Sequence, residues 1–143
     1  MREARHALGT TNLLAGMLGV SACLFAHDAG AQAIGLDGAW ANQQDACPKV
    51  FVRKGNGLSV SKAADLYGSG FIIKDNWIRG NIVTCKIKSR KTDGAVVHLH
   101  TTCSTDVALQ DVQFSVRTET DNQLIRIFPG LPELDRKYYR CSF

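Results

Sequence analysis

Four cysteines downstream of residue 40 restrict the folds that are open to this chain. They are Cys47, Cys85, Cys103 and Cys141, and a fifth, Cys23, lies in an N-terminal apolar segment. Disulfides form in oxidising compartments, and small exported domains use them to supplement a modest hydrophobic core. The four downstream cysteines therefore predict a small exported domain that is closed by two disulfides.

The N-terminal segment has the three parts of a secretory signal peptide. Two arginines supply a positive start, residues 13–26 form an apolar run, and Ala31 and Ala33 bracket a cleavage site. We expect a signal peptide at residues 1–33 and a single domain at residues 34–143. The apolar run is shorter than the roughly 20 residues of a membrane span, which disfavours an N-terminal anchor.

Residues 20–23 offer a second route to the same compartment. They resemble a bacterial lipobox, in which the cysteine, here Cys23, is acylated and becomes the new N-terminus. Leu24 and Phe25 continue the apolar run, whereas lipoproteins usually turn polar at that point. The pattern favours soluble export to the periplasm. Lipid anchoring through Cys23 is the alternative, and it alone would place the domain at a membrane.

The charge of the predicted domain is mildly basic. The whole chain has 17 Lys and Arg against 13 Asp and Glu, and removal of residues 1–33 leaves the net charge at +4. A nucleic-acid-binding domain usually carries a concentrated basic stripe, which this balance does not supply. We therefore expect no nucleic-acid partner.

The domain alternates short β-type runs with turn residues and lacks a convincing helical period. Gly38-Ala39-Trp40 opens the domain, and the predicted strands cover residues 50–52, 58–61, 71–74, 77–80, 82–90, 96–103, 112–118, 123–128 and 138–141. A sheet of this kind must protect its edges, and closure does so. We predict an all-β fold, a small closed or nearly closed antiparallel β-barrel of about eight strands with two disulfides. A β-sandwich is the alternative, and residues 63–67 could form one helical turn or a loop.

The hairpin of residues 82–103 predicts its own register. A three-residue turn at residues 93–95 pairs Cys85 with Cys103, Ile87 with Thr101 and Ser89 with Leu99. Directly opposed residues can bring their Cβ atoms to the roughly 3.8 Å that a disulfide needs. We predict the disulfide Cys85–Cys103, which leaves Cys47–Cys141 to tie the first strands to the last. Four cysteines allow three pairings, so this choice depends on the hairpin.

The outer face of the same hairpin is predicted to concentrate positive charge. Its residues are Lys86, Lys88, Arg90, His98 and His100. They would suit an anionic partner, although a solvated strand is commonly polar on that side. The two histidines point the same way, but the domain has no third histidine and its cysteines are expected to be oxidised. The sequence therefore predicts neither a metal nor another cofactor.

Two loops are candidates for contact with a partner. Residues 65–71 place Tyr67, Ser69 and Phe71 around two glycines, and residues 128–134 form a proline-stiffened turn. Exposed loops of these kinds can enter a groove on another protein. The alternative is that the glycines only shape a turn and the leucines of the second loop cap the barrel.

Catalytic motifs are not evident in this sequence. No serine lies in a Gly-x-Ser-x-Gly context, and the neighbouring carboxylates Glu133 and Asp135 lie in a proline-flanked loop without a pocket that would raise a pKa. We therefore predict that the protein is not an enzyme.

The residue patterns at 36–40, 67–73, 78–80, 84–88 and 138–141 resemble a type of small exported alpha-proteobacterial protein. In size, export, strand content and its Ser-Gly loop, the chain resembles the periplasmic inhibitor of c-type lysozyme. The resemblance implies a disulfide-bonded β-barrel that inserts loop residues into the lysozyme cleft. The family's Ser-Gly is followed shortly by Tyr, whereas here Phe71 follows and Tyr67 precedes.

Three functions are consistent with these features. The first is an inhibitor of c-type lysozyme acting by loop insertion, with a homodimer as a possible state. The second is a small-ligand carrier, because Gly38-Ala39-Trp40 resembles the start of lipocalin-like barrels, although a barrel this small leaves little interior. The third is a binder of anionic envelope components through the basic hairpin face.

Overall fold

The structure, a computed structural model, describes residues 35–143. The predicted signal peptide at residues 1–33 and the alternative lipidation site Cys23 lie outside this range. Within the described range, no helix is long and apolar enough to cross a membrane.

Eight antiparallel strands close into a barrel, and two further strands form a separate hairpin. The strands are β1 (Gly38–Ala41), β2 (Phe51–Lys54), β3 (Gly57–Val60), β4 (Gly70–Lys74), β5 (Trp77–Arg79), β6 (Thr84–Asp93), β7 (Val96–Ser104), β8 (Leu109–Thr120), β9 (Gln123–Ile127) and β10 (Arg136–Cys141). The order around the barrel is β1-β10-β9-β8-β7-β6-β5-β4, which leaves the barrel without a free edge. The predicted closed antiparallel barrel is confirmed.

The two ends of the barrel differ in their connections. At one end, two-residue turns join neighbouring strands, and the left-handed backbone that such turns need occurs at Asp75 (φ 53°) and Gly94 (φ 57°). At the other end lie the longer connections, at residues 42–69, 80–83, 105–108 and 128–135. We call these the tight-turn end and the loop end.

The barrel interior is filled by apolar side chains that alternate along each strand. Its main buried residues are Leu36, Trp40, Phe71, Ile73, Ile78, Cys85, Ile87, Leu99, Cys103, Phe114, Val116, Leu124 and Tyr138. The indole nitrogen of Trp40, which is fully buried, donates to the Leu36 carbonyl at 2.9 Å. The irregular segment that precedes β1 is therefore fixed to Trp40.

An outer layer covers one side of the barrel wall. It consists of residues 42–69 and contains the short helix α1 (Cys47–Val50), the β2–β3 hairpin and two 3-10 turns at Gln44–Ala46 and Ala64–Leu66. Its buried residues pack against outward-facing residues of β1, β4 and β10 in a second core. The strands predicted at residues 50–52 and 58–61 thus form the β2–β3 hairpin outside the barrel, and the turn at residues 63–67 is helical.

Gly70 allows the outer layer to approach the barrel closely. A Cβ atom at this position would lie 2.6 Å from Val50 Cγ1, 2.9 Å from Phe51 Cζ and 3.0 Å from the Trp40 carbonyl oxygen. These distances are below ordinary contact, so only glycine fits between the barrel and the layer above it.

Both predicted disulfides are confirmed. Cys85 and Cys103 lie opposite each other on β6 and β7 with their Cα atoms 3.9 Å apart. Cys47 of α1 is bonded to Cys141 of β10 across a Cα–Cα distance of 5.7 Å. The second bridge fastens the outer layer to the barrel, while strand pairing of β1 with both β10 and β4 closes the barrel itself. Two disulfides indicate that the domain matures in an oxidising, exported compartment.

The predicted hairpin register holds only up to Ile87. Ile87 pairs with Thr101 as expected, but the register then shifts and Ser89 pairs with His100 instead of Leu99. The predicted Ser89–Leu99 pairing is wrong because the turn has two residues, and a β-bulge at Lys88 compensates for the difference. Beyond the bulge, the β6 residues that the predicted register directed outward lie on the inner face, and those that it directed inward lie on the outer face.

Candidate functional site

A cavity opens at the loop end of the barrel. Its volume is about 370 Å³, and we call it the cup. Its walls include Phe71, Phe114 and the Cys85–Cys103 disulfide, and its polar groups include Ser69, Arg126 and Tyr138. The cup is therefore mainly apolar, with a few polar side chains that converge, which is the usual composition of a binding site.

Two hydroxyl groups meet inside the cup. Ser69 Oγ lies 3.2 Å from the Tyr138 hydroxyl oxygen, and either atom could be the donor. The Tyr138 ring packs edge-on against Phe71 with ring centres 4.8 Å apart, and Phe71 packs in the same way against Phe114 at 5.2 Å. These aromatic contacts hold the Tyr138 hydroxyl in a defined position.

Arg126 brings a positive charge to the same cavity. Its guanidinium carbon lies 4.5 Å from the ring centre of Phe114 and 4.6 Å from that of Phe128, which is a cation–π arrangement on two rings. Burial lowers the pKa of Arg126 from its ordinary value, and the neighbouring Tyr138 phenol opposes that shift. The group stays charged at neutral pH because arginine starts from a very high pKa.

A rim of exposed apolar side chains surrounds the loop end. We define the rim as residues 61–69, 80–83, 105–109 and 128–135. Seven of the ten large apolar side chains that are exposed within residues 35–143 belong to it, namely Leu66, Tyr67, Ile82, Val107, Leu109, Leu131 and Leu134. Val107 is 94% exposed. Single exposed apolar residues are common, but their concentration at one end is typical of an interaction surface.

The charge of the rim is opposite in sign to that of the whole chain. The rim carries Lys62 against the four carboxylates of Asp65, Asp106, Glu133 and Asp135, whereas the full chain has a net charge of +4. Basic side chains flank these carboxylates, because Arg136 donates to the Glu133 and Asp135 carbonyls and Lys49 lies over the Tyr67 ring, so the loop end carries charges of both signs.

The rim segment at residues 61–69 is held in one conformation. Ala64 is fully buried, and the 3-10 turn that it begins is closed by a hydrogen bond from Tyr67 N to Ala64 O at 2.9 Å. Asn81 Nδ2 donates to Asp65 Oδ2 at 2.8 Å, and Ser69 N donates to Asn42 Oδ1 at 2.8 Å. Leu66, 80% exposed, is therefore presented on a fixed support.

The three predicted loop residues occupy different positions at the loop end. Tyr67 is 45% exposed on the rim, with Lys49 Nζ 5.4 Å from its ring centre. Ser69 is exposed at the mouth of the cup, and Phe71 is buried in the cup wall at 6% exposure. Tyr67 can thus contact a large partner directly, whereas Phe71 is accessible only to something that enters the cup.

The predicted basic face of the β6–β7 hairpin is divided by the bulge. Lys86, Lys88 and His100 are exposed, and His98 is half-buried. Arg90 pairs with the core residue Leu99, so its side chain starts on the inner side of the hairpin and its guanidinium donates to the Asp75 carbonyl at 2.7 Å.

Lys91 takes the place beside His98 that the predicted register gave to Arg90. A shallow depression of about 460 Å³ on this outer wall is lined by Lys88 and His100 together with Asp111. The face therefore keeps its number of basic side chains, with Lys91 in the place of Arg90 and with Asp111 in the same depression as Lys88 and His100.

His98 forms a polar cluster with two neighbours on β8. Its Nδ1 lies 2.7 Å from Ser115 Oγ and 3.1 Å from Gln113 Nε2. Ser115 is fully buried, so its hydroxyl cannot reach a substrate carbonyl and acts as a structural partner of His98. Within residues 35–143, no group of three or more His, Cys, Asp or Glu side chains could hold a metal ion.

The sequence did not predict the two central residues of the cup, Arg126 and Tyr138. A signal for Arg126 was present, because period-two alternation places it on the same strand face as the buried Leu124. The signal was obscured by Ile125 and Ile127, which make the other face of β9 look equally apolar.

Comparison with known proteins gives no relative for this chain. No protein-family model, no curated protein and no solved structure matches it. A function can therefore be proposed only from the fold and the geometry of the described residues.

Proposed function

We propose that this protein is a periplasmic interaction protein that inhibits c-type lysozyme, with the loop end of the barrel as its binding face. The observation that carries the proposal is the concentration of exposed apolar side chains on the rim around the cup. Partners of such a surface are usually proteins, because a large apolar patch gains free energy when a complementary surface excludes water from it.

The rigid segment at residues 61–69 supports loop insertion. Leu66 and Tyr67 project from a turn whose backbone is already hydrogen-bonded and anchored by buried Ala64. A loop that is fixed before binding loses little conformational entropy in the complex, so more of its contact energy appears as affinity. Tyr67 is also a residue type that is enriched at the centres of protein interfaces.

Charge can contribute to the fit only locally. C-type lysozymes are basic, and the overall charge of +4 by itself would repel them. Individual rim carboxylates can pair with basic groups of the partner, but Arg136 and Lys49 beside them cancel a long-range attraction. We therefore expect association to depend on the apolar contacts of the rim.

The test is the lysis of bacterial cell walls by a c-type lysozyme, followed as loss of turbidity, in the presence of the purified domain at residues 34–143. We expect lysis to slow at roughly equimolar amounts, and the complex to elute as one species in size-exclusion chromatography. Unchanged lysis at a large molar excess would refute the proposal. If the domain alone elutes as a dimer, and lysozyme converts this dimer to the lysozyme complex, then a second copy of the domain covers the rim when lysozyme is absent.

A further inference from the structure

An arginine points into the barrel from the wall of the cup. Arg126 pairs with Val116 of β8 and lies two residues beyond Leu124 on β9, and both of these neighbours are fully buried. Paired residues of antiparallel strands direct their side chains to the same face. Arg126 therefore enters the cup from the core side, where a small closed barrel ordinarily places apolar residues.

The guanidinium of Arg126 forms no ion pair within residues 35–143. In this range, the salt bridges are those of Arg117 and Lys137, and both go to Glu119 on the barrel wall. Asp65, the acidic residue of the cup lining, accepts a hydrogen bond from Asn81 instead. The charge is met by the Phe114 and Phe128 rings and by the neighbouring Tyr138 phenol, so no carboxylate of the described residues neutralises this guanidinium and an anion can pair with it.

Two hydroxyls lie in the same cavity as the guanidinium. Ser69 and Tyr138 are within hydrogen-bonding distance of each other, and both line the cup with Arg126. A hydroxyl pair can redirect one O–H toward an anion without leaving the other unsatisfied. The polar part of the cup thus offers an anion two kinds of hydrogen-bond donor, the Arg126 guanidinium and a hydroxyl group. Among residues 35–143, Arg126 is the one basic side chain in the lining of the cup.

Most of the remaining lining of the cup is apolar, although Asp65, Asn81 and Gln110 also contribute to it. Phe71, Ile78, Val83, Val112, Phe114 and the Cys85–Cys103 disulfide form most of its surface. A volume of about 370 Å³ lies at the small end of the range for ligand sites, about 300–1,000 Å³. Such a cavity admits a short chain or a single ring, but not a lipid with two long tails.

We propose that the cup binds a small amphipathic anion, a monocarboxylate with a short apolar tail. The carboxylate lies on Arg126, within reach of the Tyr138 hydroxyl, and the tail lies along Phe71 and Phe114. A carboxylate is favoured over a single halide because a guanidinium presents two parallel N–H donors that match its two oxygens. The rim surrounds this site and shares Asp65, Ser69 and residues 80–83 with its lining, but binding in the cup requires no lysozyme.

The experiment is isothermal titration calorimetry of the purified domain with octanoate and with octan-1-ol. The two probes share the same tail and differ in the headgroup, so the ratio of their affinities isolates the contribution of the charged headgroup. We expect octanoate to bind about tenfold or more tightly than the alcohol. Equal affinities, or no heat of binding for either probe at millimolar concentration, would overturn the proposal.

Variants at Arg126 test the position of the headgroup. Arg126→Gln should reduce octanoate affinity about tenfold or more and leave that of octan-1-ol unchanged, while Arg126→Lys should keep part of the preference. Arg79→Gln is the matched control, because Arg79 is exposed on the outer wall and its loss changes the net charge equally. If Arg126→Gln and Arg79→Gln reduce octanoate affinity equally, the carboxylate does not bind at Arg126. The comparison of octanoate with octan-1-ol uses the unmodified domain, so it can refute the proposal even if Arg126→Gln does not fold.

Discussion

Cys47 of α1 is bonded to Cys141 of β10, and this bridge joins the outer layer to the barrel wall. The two residues are 94 positions apart in sequence, whereas Cys85 and Cys103 are 18 apart. In the chain-entropy model a longer closed loop restricts the unfolded chain more strongly. The two disulfides should therefore stabilise the domain unequally, although both are buried.

Replacement of both members of each pair by alanine tests this difference. The model predicts a loss of about 3 kcal/mol for Cys85→Ala with Cys103→Ala, and about 4.7 kcal/mol for Cys47→Ala with Cys141→Ala. Urea unfolding of the two double variants measures the change in free energy. If the short-range pair proves the more important of the two, the entropic explanation is wrong. In the unmodified domain, a reducing agent should lower the melting temperature by tens of degrees, because these losses are large against a total stability of about 5–15 kcal/mol.

Gly70→Ala should destabilise the domain by about 1–3 kcal/mol. The new Cβ would meet Val50 and Phe51 of the outer layer as well as the Trp40 backbone, and the backbone cannot move without disturbing β1. The free energy of unfolding in urea measures the effect. Gly57→Ala is the control, because its Cβ would lie 3.6 Å from the Lys54 carbonyl, an ordinary contact distance. Similar behaviour of the two variants would mean that the outer layer is not closely packed at Gly70.

Tyr138→Phe should cost about 1 kcal/mol of stability, because it removes a partly buried hydrogen bond to Ser69 while it keeps the ring packed on Phe71. The same substitution at Tyr139, which lies on the outer face of β10, should have a smaller effect. Thermal unfolding of both variants allows the comparison. A larger loss at Tyr139 would show that the hydroxyl pair does not stabilise the mouth of the cup.

Leu66→Asp should weaken lysozyme inhibition about tenfold or more, because it places a charge at the tip of the rigid rim segment. Stability should change little, since Leu66 is 80% exposed. Lysis assays over a range of inhibitor concentrations measure the effect. Val52→Asp is the matched control, an exposed apolar residue on β2 away from the rim. Equal weakening by both variants would indicate a binding face other than the loop end.

The sequence predicted the barrel and the Cys85–Cys103 disulfide because their signals are local, and Cys47–Cys141 followed as the remaining pair. Val, Ile and Phe alternate with polar residues along the strands, and Cys85 and Cys103 lie at matching distances from one turn. The register failed after Ile87 because residues 88–91 are all polar. No apolar residue in that stretch marks the inner face, so a bulge leaves no trace in the pattern.

The outer layer and the cup could not be predicted in this way. Residues 50–61 read as ordinary strands, and their packing outside the barrel, over Gly70, depends on tertiary contacts that leave no local pattern. Arg126 and Tyr138 are 12 positions apart in sequence and meet Ser69 only after the barrel has closed. A site built from two strands and a loop that is distant in sequence has no local signature, whereas a disulfide across one hairpin does.

Ala39 and Cys141 are pairing partners on β1 and β10, so the first and last strands of the barrel are neighbours. A short linker could join them, and the chain could be reopened between Gly94 and Ala95 by circular permutation with every strand pair retained. In that permutant, Cys47–Cys141 would close a loop of roughly 20 residues and Cys85–Cys103 would span most of the chain, so their entropic contributions would exchange. The unequal contributions of the two disulfides to stability thus depend on the order in which the chain connects the strands, and not on the surroundings of the sulfur atoms.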